Sequence, residues 1–116
     1  MTRANLNFIY QNTGEVPKTL FCYHNGDQYP SGLIDFFNVK ELFKDMTPAN
    51  FKKWIKTNYN TTAKKITQPK IYYTDGFITD YSYIFETDGS IKVFEWDKLV
   101  FDGDAKAFIK KFKTKK

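Results

Sequence analysis

Residues 80–86 of the chain, DYSYIFE, place an aromatic ring at every second position. Side chains in a β-strand alternate between two faces, so these rings share one side of an extended segment. Asp88-Gly89 follows, a pair that favours a two-residue hairpin turn, and Ile91 to Trp96 has the character of a returning strand. The segment therefore predicts an antiparallel hairpin, and it commits the fold to a sheet rich in aromatic residues.

The rest of the chain adds strands and helices to this hairpin. Residues 5–10 and 19–24 are rich in β-forming residues and are joined by a short turn-like link, which predicts a second hairpin. Thr47 and Pro48 predict the start of a helix, as its cap and first residue. The other predicted elements are helices at 31–43 and from Asp102 or Asp104 onwards, short strands at 71–74 and 99–101, and an irregular stretch at 57–70.

This order of elements predicts an α+β fold. We expect a mainly antiparallel sheet of four to six strands with two or three helices packed on one face. Rings must supply much of the core, because 19% of the residues are aromatic. Residues 1–116 have the size of a single domain, whose basic end, 109–116, we expect to fray.

The residues that enzymes use as nucleophiles and bases are scarce in this chain. It has one cysteine, Cys22, and one histidine, His24. Two residues apart on a strand, their side chains lie about 6–7 Å from each other, which is too far for a hydrogen bond. Two such residues also cannot complete a zinc site. The sequence therefore predicts a protein with no enzymatic activity, no metal and no other cofactor.

The same counts bear on the compartment. A single cysteine allows no intrachain disulfide, which favours a reducing environment. The N-terminus does not resemble a leader, and no apolar run approaches about 18 residues. We therefore expect a cytoplasmic protein that does not enter a membrane.

The net charge of +5 is strongly segregated along the chain. Residues 46–70 carry six lysines and no acid, residues 71–104 carry eight acids and two lysines, and residues 105–116 carry six lysines. Blocks of this kind predict a surface with distinct basic and acidic regions.

Three motifs suggest a relationship. Thr2-Arg3-Ala4 opens the chain, Asp80-Tyr81-Ser82-Tyr83 begins the late strand, and a loop has Tyr23, Asp27 and Tyr29-Pro30-Ser31-Gly32 at fixed spacing. They resemble the Gly-Thr-Arg-Ser start, the acidic-Tyr-x-Tyr strand and the Tyr-x-x-x-Asp-Gly-Tyr-Pro-Ser-Gly loop of a family of small phage and prophage proteins. Ala4 and Gln28 depart from that pattern, and the family's Gly-rich stretch before the third strand is missing. The resemblance covers about residues 2–95 and implies a phage-associated origin and an α+β layout, but no activity.

These observations predict a non-enzymatic, phage-type binding protein in the cytoplasm of a host bacterium. It would occupy a host macromolecule, such as a defence or nucleic-acid-processing protein, and act as a monomer or homodimer. Tyr side chains dominate protein interfaces, and the loop places polar residues beside a helix N-terminus. The predicted protein-contact residues are Asp27, Tyr29, Tyr81 and Tyr83. In the alternative interpretation, the loop only shapes a corner and the rings are core.

A second function remains open, which is sequence-tolerant binding of RNA or single-stranded DNA. Its lysine-rich faces would be formed by Lys52, Lys53, Lys56, Lys110, Lys111 and Lys113, with Tyr59, Tyr72 or Phe94 available for base stacking. Arg3 is the only arginine, which argues against sequence-specific DNA recognition. Lysines opposite an apolar stripe can also be simple solvated helix faces.

Overall fold

The computed structural model describes residues 3–25, 29–35, 46–74 and 76–113. Within them the chain forms a six-stranded mixed sheet, a separate two-stranded sheet and three helices, which confirms the predicted α+β fold. The main sheet contains β1 (Arg3–Tyr10), β2 (Lys18–Asn25), β3 (Lys64–Ile66), β6 (Tyr81–Glu86), β7 (Ser90–Glu95) and β8 (Lys98–Asp104). The small sheet pairs β4 (Tyr73–Thr74) with β5 (Phe77–Ile78), and the helices are α1 (Pro30–Asp35), α2 (Pro48–Tyr59) and α3 (Ala105–Phe112).

The strand order of the main sheet is β3-β2-β1-β6-β7-β8. All neighbours are antiparallel except β1 and β6, which run parallel at the centre. Both predicted hairpins, β1–β2 and β6–β7, are confirmed. The turn between β6 and β7 is longer than predicted, because residues 87–89 separate the strands and Gly89 takes the left-handed position, with φ of 87°.

One face of the sheet carries the hydrophobic core. Leu6 and Phe8 of β1 lie in register with Tyr83 and Phe85 of β6, so their side chains point to the same side. Phe51 of α2 packs on this row, with its ring centroid 5.2 Å from that of Phe8 and 6.1 Å from that of Phe85. The predicted aromatic core is therefore the contact between the sheet and its helices.

Helix α2 begins where its sequence predicts. The Thr47 hydroxyl accepts a hydrogen bond from the Asn50 N–H at 3.1 Å, and Pro48 occupies the first turn. The buried stripe of the helix is Phe51, Trp54, Ile55 and Tyr59. The predicted irregular stretch at 57–70 is partly wrong, because residues 57–59 belong to α2 and Lys64–Ile66 pairs with β2 as the edge strand β3. This pairing satisfies backbone groups of β2 that a bare edge would leave open.

The C-terminal helix α3 also starts at a predicted cap. An Asp104 carboxylate oxygen accepts from the Ala107 N–H at 2.8 Å, and Phe108 is fully buried. Helical hydrogen bonding continues to the Lys113 N–H, which donates to the Ile109 carbonyl. Residues 114–116 lie outside the described residues, as do residues 36–43 of the helix predicted at 31–43.

The second face of the sheet carries a row of buried polar residues and is partly covered by the chain itself. Residues 70–74 and 76–79, called the back segment below, lie across this face between β3 and β6. The Asn7 side chain donates to the Lys70 carbonyl at 3.0 Å and accepts from the Lys70 N–H at 2.9 Å. The Ser82 hydroxyl accepts from the Tyr72 N–H at 3.1 Å. The buried polar residues are Asn5, Asn7, Thr19, Thr79 and Ser82.

Candidate docking surface at one end of the sheet

Five strand ends meet at one end of the main sheet. The first residues of β1 and β6 lie beside each other there, since Ala4 is in register with Tyr81. The last residues of β2 and β7 join them, and the turn from β7 to β8 closes the row. Tyr29, which follows β2 in the chain, and the turn between β7 and β8 therefore lie at the same end of the sheet.

Asp80 ties these strand ends together. Its N–H donates to the Arg3 carbonyl at 2.9 Å, and its carboxylate accepts from the Arg3 N–H at 2.8 Å. Its own carbonyl accepts from the Trp96 N–H at 3.0 Å. One residue thus fixes the start of β1 and the turn between β7 and β8 relative to each other.

Tyr29 and Tyr81 form the first pair of rings at this end. Their rings meet edge to face with centroids 5.8 Å apart, and Tyr29 is 54% exposed. The Tyr81 hydroxyl donates to a Glu95 carboxylate oxygen at 3.2 Å. Burial, and then the nearby negative charge of Glu95, raise the pKa of Tyr81 to about 12. At neutral pH this phenol therefore keeps its proton and remains a donor.

Tyr72 and Trp96 form the second pair. Their rings stack with centroids 6.5 Å apart and planes 27° apart, and Trp96 is 54% exposed. Trp96 and Asp97 make up the turn between β7 and β8, while Tyr72 belongs to the back segment. The second pair therefore joins the back segment to the turn between β7 and β8.

We call this surface the acidic aromatic end. Its rings are Tyr29, Tyr72, Tyr81 and Trp96, and its carboxylates are Asp80, Glu95 and Asp97. Glu95 and Asp97 are exposed, whereas Asp80 is half-buried. The first pair lies on the side of the sheet that carries the core, and the second lies on the side of the back segment. Exposed rings beside carboxylates at this end of the sheet suit contact with a protein surface.

No family model, curated protein or solved structure matches the chain. The relationship to the phage protein family therefore stays a prediction from the three motifs. Among the helices in the described part of the chain, none is long and apolar enough to cross a membrane.

The structure treats the four predicted contact residues differently. It brings Tyr29 and Tyr81 into contact, as described above. Tyr83 is fully buried beneath the helices, so it belongs to the core and cannot touch a partner while the domain stays folded. Asp27 lies outside the described residues. Trp96 was not among the predicted contacts, because alternation placed it at the end of a strand instead of in the turn beyond.

The cysteine and histidine do not form an activated pair. Burial raises the pKa of the Cys22 thiol to about 11, which disfavours the thiolate. The His24 ring lies against Tyr59 with centroids 4.7 Å apart, and burial lowers the pKa of His24. In the described ranges no group of three His, Cys, Asp or Glu side chains could hold a metal ion.

The predicted lysine faces lie on different parts of the sheet. Helix α2 packs on β1 and β2, whereas α3 packs on β7 and β8. The lysines on these helices are all exposed: Lys52, Lys53 and Lys56 on α2, and Lys110, Lys111 and Lys113 at α3. The Lys111 ammonium donates to the Val100 carbonyl at 2.9 Å, so it also binds the backbone of β8. The proposed base-stacking role of Tyr59 is wrong, because that ring is buried, while Tyr72 and Phe94 are half-buried.

Proposed function

We propose that this protein is a non-enzymatic binding protein that docks on a host protein through its acidic aromatic end. The observation that carries the proposal is the exposure of Tyr29 and Trp96, two large rings that each rest on a second ring. Exposed Tyr and Trp at the centre of a patch are the residues that contribute most to protein interfaces. Glu95 accepts a hydrogen bond from Tyr81, on whose ring Tyr29 rests. Glu95 and Asp97 flank Trp96 in the chain, which supports a charged partner.

The surface is also held in place before any partner arrives. The backbone N–H of Trp96 donates to the Asp80 carbonyl, and the Tyr81 hydroxyl donates to the Glu95 carboxylate. These hydrogen bonds hold both residues in position. A preorganised surface loses less conformational entropy on binding than a flexible one. This favours docking over a loose electrostatic encounter.

The proposed class of partner rests on the family resemblance alone. A phage origin would support a bacterial defence or nucleic-acid-processing protein as the target, met in the host cytoplasm. Binding there would act by occupying the target's surface, with this protein present as a monomer or homodimer. The proposal requires no cofactor.

Capture from a lysate of the bacterial host tests this proposal. The full chain is immobilised, and retained proteins are compared with those held by the Tyr29→Ala and Trp96→Ala variants. Val16→Ala is the matched control, because Val16 is a 70% exposed apolar residue in the turn at the opposite end of β1. We expect a protein that the parent and Val16→Ala retain and that both ring variants lose. Retention of the same proteins by all four chains would refute the proposal.

A second candidate function is sequence-tolerant binding of RNA or single-stranded DNA. It is favoured by one observation, the exposure of Lys52, Lys53 and Lys56 on α2 and of Lys64 and Lys65 on β3. Affinity for a single-stranded oligonucleotide should then fall steeply with salt, with a logarithmic slope of about −0.7 per phosphate contact. Replacing Lys52, Lys53 and Lys56 with Glu should abolish binding. No binding at about 50 mM salt would remove this candidate.

A further inference from the structure

We infer that the acidic aromatic end recognises an arginine-bearing basic segment of its partner. This inference rests on the proposed function and deepens it, by naming the chemistry that the surface accepts. Two features carry the inference, namely the charge of the exposed side chains and the ring faces between them.

The exposed carboxylates have capacity for a cationic partner. Glu95 accepts one hydrogen bond from the Tyr81 hydroxyl. A carboxylate offers about four lone-pair sites, so Glu95 can accept further donors. Asp97 is exposed beside Trp96 at the tip of the turn. An apolar partner would have to bury these two charges without compensation, which is unfavourable.

The ring faces suit the same cation. A guanidinium or ammonium group is attracted to the face of Trp or Tyr within about 6 Å of the ring centre. The fold already uses this contact elsewhere: the Lys111 ammonium lies 5.7 Å from the Phe101 ring centre, and that of Lys70 lies 5.3 Å from the Phe21 ring centre. At the acidic aromatic end, Tyr29 and Trp96 are both 54% exposed and can receive a cation from outside.

Arginine fits this combination better than lysine. Its planar guanidinium can stack on a ring while it donates two parallel hydrogen bonds to a carboxylate. Lysine is a strongly hydrated point charge and cannot do both. The protein as a whole carries a charge of +5, so general attraction does not explain binding of a basic segment. The carboxylates at this end would attract such a segment locally and orient its docking.

A defined peptide tests the inference without knowledge of the partner. The probe is a blocked hexapeptide of alternating Gly and Arg, and the control is the same peptide with citrulline, an uncharged isostere, at each Arg. The chain contains two Trp residues, so Trp54→Phe leaves Trp96 as the only indole reporter. Trp54 is buried in the core, which makes Phe a conservative replacement there.

We expect the Arg peptide to cause a saturable change in Trp96 fluorescence. The citrulline peptide should bind the parent at least about fivefold more weakly than the Arg peptide does. The Arg peptide should lose at least as much affinity for a Glu95→Gln, Asp97→Asn double variant. Lys98→Gln is the matched control at the same turn, and it should bind the Arg peptide at least as well as the parent. The inference is overturned by equal binding of both peptides, equal binding to the double variant, or no saturable change at about 5 mM peptide.

The outcomes for the two proposals can be separated. If the Arg peptide fails while Tyr29→Ala still abolishes capture of a host protein, only the arginine inference is lost. If the ring variants leave capture unchanged, the proposed function itself is lost.

Discussion

Tyr72 and Trp96 stack on each other, and both residues have a positive φ, 81° and 59° respectively. Positive φ is rare for large side chains and costs about 1–3 kcal/mol where it occurs. Trp96 is the first residue of the two-residue turn between β7 and β8, a position that glycine often fills in such hairpins. The fold thus tolerates backbone strain at both members of the ring pair that it presents at the surface.

Replacing Trp96 with glycine should separate stability from binding. Release of about 1–2 kcal/mol of backbone strain offsets the loss of about 0.5–1.5 kcal/mol of ring stacking. We expect the free energy of unfolding in urea to change by less than about 1 kcal/mol, while partner capture is lost. A decrease in stability of more than about 2 kcal/mol would show instead that Trp96 is primarily a core residue.

The contact between α2 and the sheet should dominate stability. Phe51 is fully buried, and its ring packs against Phe8 and Phe85. Phe51→Ala should lower the free energy of unfolding by about 3–5 kcal/mol, because it leaves a cavity at the centre of the core. Lys53→Ala on the exposed side of the same helix is the control and should change it by less than about 0.5 kcal/mol. Similar effects of both variants on urea unfolding would contradict this packing.

His24 should make stability depend on pH. Burial lowers its pKa in the folded protein, so the unfolded chain binds the proton more tightly. The free energy of unfolding is therefore highest, as far as His24 is concerned, above the pKa of about 6.5 that His24 has in the unfolded chain. It decreases as the pH falls below that value. Because the chain has one histidine, urea unfolding between pH 7.5 and 5 should report on this residue. His24→Gln should flatten the dependence, and an unchanged slope in that variant would assign it to other groups.

Cys22 should react slowly in the folded protein. Its thiol is buried, and its pKa is raised from 9.0 to about 11, which lowers the thiolate fraction at pH 8 by about a hundredfold. Labelling with iodoacetamide should accordingly be at least that much slower in the native protein than in guanidinium chloride. Rapid native labelling would reveal an activated thiol and would reopen the possibility of an enzyme.

Local signals in the sequence predict most of the fold. Two adjacent residues, Thr47 and Pro48, predict the start of α2. The alternation of Tyr81, Tyr83 and Phe85 predicts a strand from local sequence alone. Strand β3 has no such signal. Residues 64–66, Lys-Lys-Ile, pair with the edge of β2. This pairing depends on tertiary contacts, so the local sequence of three residues does not predict it.

The candidate site was predictable only in part, for a similar reason. The sequence indicates which rings share a face of β6, but not which part of that face the helices cover. Tyr81 lies at the end of the strand and Tyr83 lies two residues further in, so one ring reaches the site and the other is core. Trp96 enters the site through a contact with Tyr72, 24 positions earlier in the chain. No local pattern encodes that contact.

The back segment should couple the polar face of the sheet to the docking surface. The Asn7 side chain makes two hydrogen bonds to the backbone of Lys70, and Tyr72 lies two residues further along the same segment. Asn7→Ala leaves both Lys70 groups without this partner, so we expect a loss of about 1–3 kcal/mol in unfolding free energy. Amide hydrogen exchange at Lys70 and Tyr72 should also accelerate, because the segment opens locally.

The consequence for function is the sharper test of this coupling. A loosened back segment no longer holds Tyr72 under Trp96, so Asn7→Ala should weaken capture of the host protein although Asn7 is buried and touches no partner. Asn12→Ala is the matched control, because Asn12 is an exposed residue of the β1–β2 turn at the other end of the sheet. If Asn7→Ala accelerates exchange but binds like Asn12→Ala, the docking surface does not depend on the stacked pair, and Tyr29 with Tyr81 must suffice for recognition.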